Sequence, residues 1–225
     1  IHGKKASEFF KAKGIKNVAL FTAQASNAQS YANAFKENFE TTEGKIVYTA
    51  SYLAEATDFR TDLTKTKSAG AEAIYVGVAT AKDGGLVVKQ ARENGFQGLI
   101  MVSIAADAPE FISVAGVAAE GVIISAAPFN PEDQTVSGYA EKYQARYGKN
   151  SDGFAANGYD AVWLIAKAIE SCQGDNSECI KDFLYQVEDY PGVGGLTTFD
   201  QNGDVIKPVQ LKVVKDGQFV RLEEW

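Results

Sequence analysis

At 225 residues the chain is long enough to bury one large core or two modest ones. Its 22 Lys+Arg stand against 29 Asp+Glu, a formal charge of −7, which disfavours a nucleic-acid backbone or an anionic membrane surface as partner. No apolar run approaches the roughly 18 to 20 residues that a membrane-spanning helix needs.

In chain order, Ile1-His2-Gly3 leads straight into a helix face marked by Ala6, Phe9 and Phe10, which reads as a processed or excised start. Val18-Ala19-Leu20-Phe21 is a short apolar strand. Tyr31, Ala34, Phe35 and Phe39 then recur at helical spacing before Lys45-Ile46-Val47-Tyr48 returns to strand character. Phe59 and Leu63 stand one helical turn apart, Ala73-Ile74-Tyr75-Val76 is a strand, and Leu86, Val87, Gln90 and Ala91 form the next helix face. Leu99-Ile100-Met101-Val102 and Val122-Ile123-Ile124 supply two more strands. Continuous apolar strands alternating with helices predict an α/β, doubly wound, parallel sheet covered on both faces.

The pattern changes near Pro128-Phe129-Asn130-Pro131. A helical tract from about Asp133 to Tyr147 follows, then a strongly apolar helix through Ala161, Val162, Ile165, Ala168 and Ile169, and a third through Ile180, Phe183 and Leu184. Helices with wide apolar faces and no strand between them must cover a sheet supplied from elsewhere. Cys172 and Cys179 flank a polar, turn-rich hexapeptide short enough to let them pair, which would suit an oxidising compartment; two free thiols are the alternative. The tail alternates at Val209, Leu211 and Val213, and Asp216-Gly217 before Phe219-Val220 is a hairpin signal.

Ligands of open parallel sheets bind beyond the C-terminal strand ends. Three loops qualify: 22–27, 78–80 and 103–107. Each also has a purely structural reading. Ser26 with Gln29 has capping-box spacing, and Asp107 with Glu110 across Pro109 reads as another helix start. Asp83-Gly84-Gly85 suits a tight helix entry. Asp200, Asn202 and Asp204 have the spacing that opens a calcium loop, but Gly203 comes too early and Leu211 stands where the bidentate acid belongs, so a turn is expected and no metal. His2 is the only histidine, which leaves Ser or Cys nucleophiles without a histidine base; no enzyme and no cofactor are expected.

Asn157-Gly158-Tyr159-Asp160-Ala161-Val162, the run from Gly192 to Asp204, Pro208-Val209-Gln210-Leu211 and Ala118-Ala119-Glu120-Gly121-Val122 together resemble type I periplasmic solute-binding proteins of ABC transporters. The resemblance is to the leucine/isoleucine/valine-binding, branched-chain amino acid family, and it covers residues 3 to 222 in order. It implies two α/β lobes that close over a solute by a hinge motion. Residues 1–127 and 199–225 would form one lobe and 128–198 the helical part of the other, whose sheet would lie upstream, so that the family's N-terminal portion is missing. Hinge residues would be Phe129, Asn130, Phe199 and Asp200.

Carried over by position, ligand contacts would fall at Asn27, Ala79, Thr80, Ile104 and Phe154. The family's acid for an ammonium group would be replaced by Asp107, three residues beyond Ile104. Asn27 and Ala79 are not the aromatic residues common there, so a related amino acid, amide or small organic acid is as plausible as leucine. The resemblance implies an extracytoplasmic or periplasmic receptor whose partners are a small solute and a membrane permease, with no nucleic acid. A ligand-sensing ectodomain or regulatory sensor of the same fold is the alternative, and an α/β enzyme the more distant one. Uncovered helices at 128–198 predict self-association or disorder there.

Overall fold

The computed structural model describes residues 1–41, 43–130 and 133–223. Pro131, the far end of the expected first crossing, lies outside them, as do Glu224 and Trp225. Two compact units are present: residues 1–126 with the segment from Val209 onward, and Ala127–Pro208.

The first unit is built on strands β1 (Asn17–Ala23), β2 (Lys45–Tyr52), β3 (Ala73–Gly77), β4 (Leu99–Val102) and β5 (Ile123–Ala126), linked by parallel pairing. Successive side chains point to opposite faces, so Val18, Leu20, Ala73 and Tyr75 enter one core and Ala19, Phe21, Ile74 and Val76 the other. The first core lies under α1 (His2–Ala12) and α2 (Ser26–Glu40). Here the Phe35 ring stacks on Tyr75 at 4.2 Å, and Phe10 meets Phe35 edge-on at 5.4 Å. The second core lies under α3 (Arg60–Ser68), α4 (Ala81–Glu93) and α5 (Pro109–Ala115), through Leu63, Val87, Val88, Ala91 and Phe111. Both faces of the parallel strands are thereby buried, which is why they read as unbroken apolar runs.

The last two strands of the sheet come from the tail. Strands β6 (Tyr190–Gly192), β7 (Gly195–Phe199) and β8 (Val205–Ile206) belong to the second unit. Strand β9 (Gln210–Lys215) adds antiparallel to β5, and β10 (Gln218–Arg221) pairs with β9. Asp216 and Gly217 both have positive φ, 52° and 69°, the backbone of the two-residue turn that matches strand twist. The sheet order is β10-β9-β5-β4-β3-β1-β2.

The second unit carries α6 (Gln134–Tyr147), α7 (Gly153–Cys172) and α8 (Ser177–Tyr185) ahead of the small antiparallel sheet β6-β7-β8. Asp152 caps α7 by accepting from the Ala155 N–H at 2.8 Å, and Asn176 caps α8 through the Cys179 N–H at 3.0 Å. Cys172 and Cys179 are bonded, with Cα atoms 5.9 Å apart, and tie the end of α7 to the start of α8. The return to the first unit comes at Val209, ten residues later than the expected 199. The cause is pairing: Thr198 and Phe199 lie opposite Ile206 and Val205, which keeps residues 199–206 with the second unit. Phe199 and Asp200, expected as hinge residues, are therefore inside that unit; the Asp200 carboxylate accepts the N–H groups of Asn202 and Asp204, which hold it below the usual carboxylate range. Phe129 is buried there with Val136 and Ala156, and Asn130 is exposed.

Two of the sequence runs that carry the resemblance meet in this unit. The buried Asp160 carboxylate, on α7, accepts the N–H of Val193 at 2.8 Å and of Gly194 at 2.7 Å, with the Lys207 ammonium at 3.8 Å. A Cβ on Gly192 would collide with that carboxylate, so the glycine is required by close approach. Lys207 donates in turn to Asn157 Oδ1 at 2.7 Å; burial holds its ammonium below the ordinary lysine value, against the pull of Asp160. Asp160→Ala leaves two amides without their acceptor and a half-buried cation without its counter-charge, and is expected to destabilise the unit by about 2–4 kcal/mol in denaturant titration.

Formed helices occupy the stretch for which disorder was an expectation, yet α7 leaves Tyr159, Val162, Trp163, Ile165 and Ile169 exposed, Val162 at 70%. Such a face favours association. The 225-residue chain is expected to show concentration-dependent self-association in sedimentation velocity, weakened at least about tenfold by Val162→Glu with Ile169→Glu.

Candidate functional site

Strand order reverses between β1 and β3. From β1 the chain moves outward to β2, and from β3 it moves the other way to β4 and β5. The helices that follow these two strands, α2 and α4, cover opposite faces, so the chain diverges at their C-terminal ends, the place where open α/β sheets bind their ligands. Thr22 pairs with Gly77 and Val76 with Val102, which sets the three loops 22–27, 78–80 and 103–107 side by side.

Particular contacts hold these loops in place. A Cβ on Gly77 would lie 2.7 Å from the Ala28 carbonyl, so the absent side chain lets the first turn of α2, and Asn27 with it, come down on the end of β3. Ser103 is fully buried and joins the second loop to the third. Its hydroxyl accepts from the Val78 N–H at 3.0 Å, while its own N–H donates to the Val76 carbonyl at 2.9 Å. The Gln24 N–H donates to the Tyr52 carbonyl at 2.7 Å and fastens the first loop to β2.

Beneath the second loop sits Asp83, which the sequence pattern presents only as part of a tight helix entry. The Asp83 carboxylate, 2% exposed, accepts the Thr80 N–H at 2.7 Å, the Thr80 hydroxyl at 2.6 Å, the Ala79 N–H at 3.2 Å and the Tyr52 hydroxyl at 3.0 Å. Thr80 and Asp83 form a full capping box on α4, and the Thr-x-x-Asp spacing was the available signal. Tyr52 comes from the edge strand β2, so its bond to Asp83 spans β1 and ties the two sides of the strand-order reversal together. Burial, with Asp83 second, pushes the Tyr52 phenol far above its ordinary value.

Of the expected ligand contacts, Asn27 is exposed on the first turn of α2, Ala79 is half-buried, and Thr80 is exposed, though its hydroxyl is held by Asp83. Ile104 is half-buried in a short 3-10 turn after β4. These four belong to the adjoining loops. Phe154 does not; it is 53% exposed on α7 of the second unit.

Asp107 requires a correction. It does not cap α5, whose N-cap is Ala108 with no side-chain bond, because the chain turns through a 3-10 segment first. Its carboxylate instead receives the Lys212 ammonium at 2.9 Å on each oxygen, with side chains 9% and 18% exposed. Lys212 lies on β9, 105 residues away, where no local pattern could announce the pairing. Ser26 likewise does not cap α2: Ala25 occupies the cap, and Ser26 is already the first helical residue.

Asp83→Asn is expected to lower stability by about 1–3 kcal/mol and to speed amide exchange at Ala79 and Thr80 in hydrogen-exchange measurements, while amides in the middle of β3 stay protected. Tyr52→Phe should give the same pattern more weakly.

Comparison with known proteins places this geometry. The family described as periplasmic binding protein matches residues 3–218. The Leu/Ile/Val-binding protein homolog 3 of Brucella melitensis is 29% identical over 214 residues, covering 92% of this chain and 56% of that protein. A leucine-binding protein from Thermotoga maritima superposes with a TM-score of 0.90 at 29% identity, over 98% of this chain and 64% of the other. The branched-chain amino acid transporter substrate-binding protein of Streptococcus pneumoniae, solved with isoleucine, gives 0.82 at 28% identity, over 98% and 65%. The chain thus spans about half the length of the curated relatives it matches.

Proposed function

The chain belongs to the periplasmic binding protein family, and from that premise we propose that it forms part of an extracytoplasmic receptor that captures a small solute for an ABC importer. The solute is a branched-chain amino acid or a related small amino acid, amide or organic acid. The observation that carries the reading is the strand-order reversal at β1/β3, outside which three loops adjoin whose one charged residue, Asp107, is paired with Lys212. Asn27, Ala79, Thr80 and Ile104 are the solute's proposed contacts. No bond is made or broken; binding shifts the protein toward a closed form that the membrane permease reads. The relatives' names, with isoleucine bound in one solved structure, support an amino-acid-like solute. The Cys172–Cys179 disulfide supports an oxidising compartment.

Calorimetry of the protein at its full natural length, against the common amino acids, their amides and short organic acids, tests this. One solute class is expected to bind one-to-one and to be recovered unchanged. Heat from none of them, or recovery of an altered solute, overturns the proposal. Ala79→Trp fills the space beside the second loop and is expected to weaken that binding at least about tenfold, with the melting temperature held within a few degrees.

A further inference from the structure

We infer that the first unit holds no ammonium group of the solute: Asp107, the one acid in its three adjoining loops, is engaged by Lys212, and the unit reads an apolar, hydroxyl or amide surface. The inference rests on the solute-binding reading above and narrows it.

Its basis is the fate of the charges at the C-terminal strand ends. Across the loops 22–27, 78–80 and 103–107 the one charged residue is Asp107. Lys212 engages both of its carboxylate oxygens at 2.9 Å, and the pair is nearly buried. A ligand ammonium at Asp107 would compete with Lys212 for a carboxylate whose charge that lysine already balances, so little attraction is left for it.

The second loop is committed as well. The N-terminus of α4, the ordinary seat for a carboxylate on such a sheet, already carries the buried Asp83. That carboxylate takes the Ala79 and Thr80 N–H groups, the Thr80 hydroxyl and the Tyr52 hydroxyl. An incoming anion would meet like charge and find those donors committed. What remains for a ligand is uncharged, and includes the exposed Ser26 and Asn27, the small Ala79 and the half-buried Ile104. Asp83 and Asp107 are thus positioning residues, each fixing a loop from beneath.

A cycle between protein and ligand charges tests this. Affinities of the full-length protein are measured for L-leucine against 4-methylpentanoate, L-isoleucine against 3-methylpentanoate, and L-phenylalanine against 3-phenylpropanoate. Each pair shares a carbon skeleton and differs in the ammonium group. The same series is run on Asp107→Asn with Lys212→Met, which removes both charges together. The ratio of affinities within each pair is expected to agree between wild type and variant to within about threefold, whichever member binds better. A fall of more than about tenfold in the variant, confined to the amino acid, would show Asp107 reading the ammonium and overturn the inference while leaving the receptor function standing. Binding of none of the six by the wild type overturns this inference, whereas the function falls only if the wider panel is also silent. Should the double variant not fold, nuclear magnetic resonance of the wild type decides: the Lys212 Nζ and Asp107 carboxyl signals are expected to stay in place on saturation with the bound solute, and their displacement overturns the inference.

Discussion

A parallel strand cannot be followed by its neighbour without a crossover that spans the length of the sheet, and in the first unit this constraint shapes everything else. Each crossover is a helix, each helix must bury its apolar stripe, and the sheet offers two faces. Helices α1 and α2 take one face and α3 to α5 the other. The chain therefore leaves β1 and β3 in opposite directions, which makes their C-terminal ends the switch point of the sheet. Gly77 then decides how closely the two departing loops approach, because any side chain there would run into the Ala28 carbonyl.

The second unit is held by different means. Its cluster of buried apolar residues is small, centred on Phe129, Val136 and Ala156, and α8 buries none of its residues. Order there depends on polar fastening and a covalent bridge: caps at Asp152 and Asn176, the Cys172–Cys179 bond, and the Asp160 carboxylate that gathers the glycine turn and Lys207 around itself. The exposed apolar face of α7 is the other side of the same fact. A helix of this composition is made to be covered, and the short β6-β7-β8 sheet leaves that face open.

Buried charge in the chain serves placement. Asp83, Asp107 and Asp160 each gather donors from distinct segments, and in each case a loop or turn is fixed by the carboxylate under it. A buried carboxylate is tolerated only when its oxygens are satisfied, so three such groups, each with several short contacts, define loop geometry more strictly than apolar packing does.

The amino-acid order by itself determined the periodic part of the protein. The alternation of apolar strands with helix faces from Ala6 to Ile124, the three strandless helices after Asp133 and the Asp216-Gly217 hairpin were legible because side-chain period and turn chemistry are local properties of the chain. The three loops at the strand ends followed from that alternation, and the family resemblance from the runs at 118–122, 157–162, 192–204 and 208–211. Only the tertiary structure decided what the side chains in those loops are for. Asp107 read equally as a cap or a ligand contact until Lys212 arrived from 105 residues away, and Asp83 read as part of a tight turn until Tyr52 reached it across β1. The return near 199 was placed too early because the pairing of β7 with β8 is a contact between strands, which no period within either can express. Local geometry is written residue by residue, whereas the partner of a charge or of a strand edge is settled by whatever the folded chain brings within about 3 Å of it.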